Sequence, residues 1–169
     1  MPTSPDTLDL QTRTLANGLT VASVRMPAFR TQAIAVFVRA GGRDEPQRLT
    51  GLSHVLEHMA FKGTAARDAA SLSMAIERAG ASMNAYTTKD HTVFHVEALA
   101  QAEPVAIEAL ADVVLRPSFP ADELERERHV IIQEIDEAAD DPESLAQDAF
   151  DAVAWPRQAL GRPILGAPR

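Results

Sequence analysis

The stretch Thr50 to Gly63 (TGLSHVLEHMAFKG) constrains the fold most, because it sets three ionisable side chains into a helix that is otherwise apolar. Leu52, Val55, Leu56 and Met59 keep helical spacing behind a candidate N-cap at Thr50, and Lys62-Gly63 supplies the stop. His54 and His58 stand one turn apart, about 40° in projection, and Glu57 lies on the same side, so all three can face one point. A surface helix with incidental polar residues is a poor account of this setting, since Leu52, Val55, Leu56, Met59 and Phe61 make most of the segment apolar.

The flanking patterns say what surrounds that helix. Asn17-Gly18 between two short alternating runs in residues 12–24 is a hairpin signal. Residues 32–40 (QAIAVFVRA) are a continuous apolar run of strand length before Gly41-Gly42, which predicts a central, buried strand. A second helix is expected at about 68–79, stopped by Gly80, then strands at 82–87 and 91–98. Helices follow at about 102–115, 121–138 and, behind the Asp141-Pro142-Glu143 start, to about Val153. Strands and helices in mixed order, without strict βαβ alternation, predict an α+β fold: a mixed or antiparallel sheet with helices packed on it. The tail after Trp155 is rich in Pro and Gly and closes no element in this reading, so the domain, a single one over 1–169, is expected to be truncated at its C-terminal end.

A chain of 169 residues is long enough for one substantial core. Sixteen Lys and Arg against 24 Asp and Glu give a net charge of −8, which repels nucleic acid and anionic membrane surfaces, so neither is an expected partner. No stretch reaches the roughly 18 apolar residues of a membrane span. The N-terminal MPTSPDTLDLQTRT has no basic start followed by an apolar run, so a cytoplasmic location is expected. With no cysteine, a disulfide framework is excluded and any metal must be held by histidine and carboxylate.

Two imidazoles at i, i+4 can bind one zinc ion, and a neighbouring carboxylate that is not a ligand can take a proton from water at the metal. Chance is a poor explanation of an H-x-x-E-H arrangement, which should occur in roughly one chain in a hundred of this length and composition. Two histidines leave zinc under-coordinated, and the best candidate for a third ligand is Glu134, an acid among Val130, Ile131, Ile132 and Ile135. Glu127, two helical turns earlier on the same face, can point into the same site. An ordinary acidic stripe with Glu123, Glu125 and Glu137 is the competing account of both glutamates, and spacing alone leaves their pairing with His54 and His58 open. His91 and His95 are too far apart on a strand for one metal, and His129 projects away from Glu134. Trp155 and the six phenylalanines have core spacing.

GLSHVLEHMAFKGT, then ERAGASMNAYTTKDHTVF, then ELERERHVIIQEIDEAADDP closely resemble the pitrilysin/insulinase family, which includes the mitochondrial processing peptidases and their bacterial relatives. H-x-x-E-H is the inverzincin motif, and the second glutamate falls at the family's distance, 76 positions after His58. The resemblance implies one Zn2+ bound by His54, His58 and Glu134, with Glu57 as general base and Glu127 as a second acid supporting the site. It further implies a substrate-binding edge strand, Ala81 to Thr87, on which Asn84 and Ala85 pair with an extended peptide; read alone, Asn84 would be an ordinary edge residue. The activity implied is a zinc-dependent endopeptidase acting on peptides or unfolded segments. The partner implied is a second family domain or another subunit, in a homo- or hetero-oligomer. The alternative within the same family is a non-catalytic, zinc-stabilised interaction module, against which Glu57 counts because a structural zinc needs no base.

Overall fold

Gly18 lies at φ 87°, a region open to glycine, and Asn17 Oδ1 accepts from the Leu19 N–H at 3.1 Å, so the chain reverses here as its turn chemistry requires. The reversal joins strand β1 (Leu10–Thr14) to strand β2 (Thr20–Val24), antiparallel in the register Leu10↔Val24 to Thr14↔Thr20. The computed structural model describes residues 9–167; the reading of the first eight residues as leaderless therefore lies outside the described residues. The chain divides into two units, residues 1–30, which hold this hairpin, and residues 31–169.

The second unit is built on an antiparallel sheet of β3 (Thr31–Val38), β5 (Thr92–Leu99) and β4 (Ser82–Thr87), in that spatial order. Its helices are α1 (Leu52–Ala60), α2 (Ala69–Arg78), α3 (Glu103–Leu115), α4 (Ala121–Asp140) and α5 (Pro142–Ala154). Alternation decides the layers. Ala85 on β4 and Phe94, Val96 and Ala98 on β5 point to one face, where Leu72 and Ile76 of α2 and Ala106, Ala109, Leu110 and Val113 of α3 meet them. Val96 and Ala109 are 0% exposed, which places the core where α3 crosses β5. The α+β expectation therefore holds, with an antiparallel sheet and helices packed on it.

Three local expectations are corrected. The run 32–40 is not a central, buried strand: β5 is central, and β3 alternates between half-buried and exposed, with Phe37 64% exposed. A continuous apolar run does not distinguish a strand buried on both faces from one whose second apolar face is left open. The tail after Trp155 does form structure: Ala159–Gly161 make a short 3-10 turn, and Arg162 Nη2 donates to the Glu45 carbonyl at 2.6 Å. Its anchor is a polar contact to a distant residue, which no hydrophobic period reveals. Of the six phenylalanines, Phe94 is buried and Phe61 packs against the core, while Phe29, Phe37, Phe119 and Phe150 are exposed.

The other boundaries follow local chemistry closely. Asp141 caps α5 by accepting from the Ser144 N–H at 2.9 Å, and Gly80, at φ 65°, ends the turn after α2.

Candidate metal centre

The centre forms where α1 meets α4, and the N-terminus of α1 is fixed from outside the helix. Thr50 is not the N-cap: Gly51 is, at φ 96°, and it has no side chain with which to cap. The missing acceptor comes from Glu45, which is 8% exposed; its Oε2 accepts from the Gly51 N–H at 2.8 Å and its Oε1 from the Ser53 N–H at 2.6 Å. A carboxylate there also meets the positive end of the helix dipole. Gly51 is required twice over, since a Cβ on it would stand 2.8 Å from the Leu165 carbonyl oxygen.

One and two turns further on, His54 and His58 turn their Nε2 atoms to the same point, 3.2 Å apart. Glu134 of α4 brings Oε2 to 3.5 Å from His54 Nε2 and 3.4 Å from His58 Nε2. Among the described residues these three form the group of His, Cys, Asp and Glu able to hold a metal ion. Donors about 2.0–2.2 Å from a tetrahedral zinc stand roughly 3.3–3.6 Å from one another, so the observed triangle fits that ion, and two nitrogens with one carboxylate oxygen is a donor set suited to it.

The two histidines are held differently. His58 Nδ1 lies 3.0 Å from Glu127 Oε2, so Nδ1 carries the proton and Nε2 presents its lone pair to the centre. His54 Nδ1 is buried with no hydrogen-bond partner among the described residues, and none of them fixes that ring in the way Glu127 fixes His58. Burial and, after it, the neighbouring His58 push the His54 pKa down, which favours the neutral form a metal needs. Glu127 is buried, and burial works to raise its pKa, but hydrogen bonds and charge from Lys62 and His58 prevail and hold its carboxyl below the usual range. Its second oxygen, Oε1, lies 2.6 Å from Lys62 Nζ.

Glu57, one position before His58, points to the sheet rather than to α4. Its Oε2 accepts from the Thr87 hydroxyl at 2.5 Å, and Thr87 Oγ1 is 3.4 Å from Thr92 Oγ1, which donates to the Ala40 carbonyl at 3.0 Å. Thr87 is the last residue of β4, the strand that also carries Asn84 and Ala85 at an edge of the sheet. Asn84 is exposed and Ala85 is buried; the Ala85 N–H already donates to Asn84 Oδ1 at 2.9 Å. The strand spans Ser82–Thr87, so Ala81 lies just outside it.

The histidines set aside stay outside the centre. His129 is exposed and bonded to the Glu125 carbonyl, and His91 and His95 each pack near the Tyr86 ring. Val130 is 39% exposed, so the apolar surroundings expected for Glu134 are only partly realised, and Glu134 keeps access to solvent with its side chain 36% exposed. Three residues escaped sequence reading: Lys62, Thr87 and Glu45. Lys62 had a signal, since positions 54, 58 and 62 continue one helical row, as did Thr87, two residues from Ala85 on one strand face. Glu45 had none.

A sequence profile of the family described as insulinase (Peptidase family M16) matches residues 20–168. The chain belongs to the insulinase family. Among relatives of this insulinase-family chain, the mitochondrial-processing peptidase subunit beta of Lentinula edodes is 40% identical over 153 residues, 90% of this chain and 33% of that protein. An uncharacterised zinc protease of Mycobacterium tuberculosis (strain ATCC 25618 / H37Rv) is 38% identical over 154 residues, 91% of this chain and 35% of that protein. The solved structure of a protease from Helicobacter pylori superposes with a TM-score of 0.88 at 25% identity, covering 95% of this chain and 39% of that one. The M16 inactive domain from Pseudomonas fluorescens, at 22% identity and a TM-score of 0.85, shares the fold. The chain thus spans about a third of the length of the curated relatives it matches. Among the described residues no helix is long and apolar enough to cross a membrane.

Proposed function

We propose that residues 1–169 form the N-terminal, metal-bearing domain portion of a zinc endopeptidase, with His54, His58 and Glu134 as ligands, Glu57 as general base and Glu127 as the acid that orients His58. The observation that carries this reading is the triangle of two Nε2 atoms and one Oε2 with sides of 3.2, 3.4 and 3.5 Å. A bound zinc ion would supply Lewis acidity to a water molecule and to the carbonyl of the scissile peptide. The remaining chemistry belongs to the chain. Glu57 takes the proton of the attacking water and returns it to the departing amine, with the Thr87 hydroxyl fixing one of its oxygens. Asn84 and Ala85 receive an extended peptide as an added strand, and the Asn84 side chain must leave the Ala85 N–H for that amide to serve the peptide. Because the chain spans a third of its relatives, a second domain or a partner chain, in a homo- or hetero-oligomer, is proposed to complete the substrate site.

Metal analysis and a quenched-peptide assay on wild type and Glu57→Gln, alone and with a candidate partner chain, test the reading. The expected result is one zinc per chain in both proteins and cleavage only with Glu57 present. Loss of zinc in Glu57→Gln would make Glu57 a ligand and overturn the assignment of roles. Zinc uptake with no cleavage under either condition would leave a zinc-stabilised interaction module instead.

A further inference from the structure

Two glutamates on one face of α4 can reach the centre, and they are used differently: Glu134 faces both Nε2 atoms, whereas Glu127 turns to the far side of His58. Spacing does not explain the division, because the two lie seven residues apart on the same stripe. Their surroundings do. Each oxygen of Glu127 has its own partner, Oε2 on His58 Nδ1 at 3.0 Å and Oε1 on Lys62 Nζ at 2.6 Å. Both partners leave the C-terminal end of α1, four residues apart, and the Lys62 backbone is pinned there by its N–H on the Met59 carbonyl at 3.1 Å.

We propose that Lys62 is a positioning residue for the metal centre: its ammonium anchors Glu127 on Nδ1 of His58 and keeps that carboxylate from turning into the ligand position held by Glu134. This inference rests on the zinc reading above. Without Lys62, Glu127 becomes a buried carboxylate, 8% exposed at its side chain, with one oxygen unpartnered. The nearest remedy for such a group is to rotate toward positive charge, and a metal ion supplies it. His58 would then lose the acceptor that fixes its Nδ1–H tautomer, and Glu127 and Glu134 would compete for one coordination position. A bare surface ion pair has no such consequence, since removing it changes neither ring orientation nor metal coordination.

The test measures zinc affinity by competition with a chromophoric chelator at fixed pH for the full chain in wild type, Lys62→Met, Lys62→Arg, Glu127→Gln and the double variant Lys62→Met/Glu127→Gln. Two spectroscopic readouts accompany it: the visible spectrum of the cobalt-loaded chain and the nitrogen NMR shifts of the His58 ring without metal. Lys62→Met is expected to weaken zinc binding about tenfold, the lower end for loss of a residue supporting a ligand. It should also alter the cobalt spectrum and move the His58 ring away from a pure Nδ1–H tautomer, while Lys62→Arg restores all three. The double variant should bind no worse than Glu127→Gln alone, because Lys62 acts through Glu127. If Lys62→Met binds zinc as wild type does, or if the two losses add, the inference fails while the zinc reading stands. If the wild-type chain takes up no zinc at all, the zinc reading fails and takes this inference with it, even where the His58 tautomer still depends on Lys62.

Discussion

Replacing Glu45 by alanine tests how far helix α1, which carries His54 and His58, depends on a residue outside it. Glu45 supplies acceptors to the Gly51 and Ser53 N–H groups at 2.8 and 2.6 Å, both at the start of α1, and Gly51 has no side chain to substitute for them. A hydrogen bond to a charged group contributes about 1.5–3 kcal/mol and an N-cap about 1 kcal/mol, so losing both acceptors at a buried helix start should cost about 2–4 kcal/mol. With a urea dependence of about 2 kcal/mol per molar, the unfolding midpoint should fall by about 1–2 M. Glu45→Gln keeps one acceptor oxygen and loses the charge, so its midpoint should fall roughly half as far.

The assay is urea unfolding followed by circular dichroism on the metal-free chain, with Glu108→Gln, an exposed carboxylate on α3, as the control expected to stay within about 0.5 kcal/mol of wild type. A midpoint for Glu45→Ala that matches the control would refute the reasoning, because the two N–H groups would then be served as well by water. Equal losses for Ala and Gln would show that the carboxylate charge carries the whole effect and the count of acceptors none of it.

Three further outcomes follow from particular contacts. Asp112, 1% exposed, accepts from Arg116 Nε at 2.9 Å and from Arg67 Nη1 at 3.3 Å, tying the segment after α1 to α3; Asp112→Asn should lower stability by about 2 kcal/mol, towards the low end because both arginines reach solvent, and speed proteolysis of residues 61–68. Gly41 has room for no side chain, since a Cβ would stand 2.5 Å from the Thr88 carbonyl oxygen and 2.7 Å from the His91 nitrogen, so Gly41→Ala should lower the melting midpoint by an amount equivalent to about 1–3 kcal/mol, and an unshifted midpoint would mean the turn at 88–91 yields freely. His54 has its pKa lowered in the folded chain, so the unfolded chain takes up the proton first; the stability His54 contributes is complete above about pH 6.5 and is lost as pH falls through the folded value. The metal-free urea midpoint should therefore decline between pH 7.5 and 5.5 and decline less in His54→Asn, whereas the contribution of Glu127, also lowered, is lost only in the more acidic carboxylate range.

What was legible in the sequence is what obeys a short period or a local rule. The spacing of His54 and His58, the placing of Glu127 and Glu134 on one stripe and the Asp141 cap all depend on residues within two helical turns of one another; Glu57, read onto the same side, instead turns to Thr87. What was not legible depends on contacts made at long range. Glu45 caps α1 while its own carbonyl is held by Arg162, 117 residues away, and Thr87 reaches Glu57 only because β4 runs beneath α1. The misplacement of β3 has the same origin: hydrophobicity reports that a strand has two apolar faces, and what lies against each is set by the rest of the assembly.

The division of labour between the two α4 glutamates shows where pattern ends and chemistry begins. A seven-residue spacing guarantees that both carboxylates face α1, and helical geometry alone offers either one to a metal. The choice is made by what α1 presents opposite each. Opposite Glu134 stand two imidazole Nε2 atoms, that of His58 with its lone pair forward; opposite Glu127 stand a protonated Nδ1 and an ammonium group, both donors. A carboxylate whose two oxygens each meet a donor has no reason to leave them, whereas Glu134, with its side chain 36% exposed, meets the two Nε2 atoms through one oxygen and reaches solvent. The asymmetry of donors on α1 therefore accounts for the different partners of the two glutamates: His58 and Lys62, four positions apart, hold Glu127, and Glu134 is left facing the two Nε2 atoms.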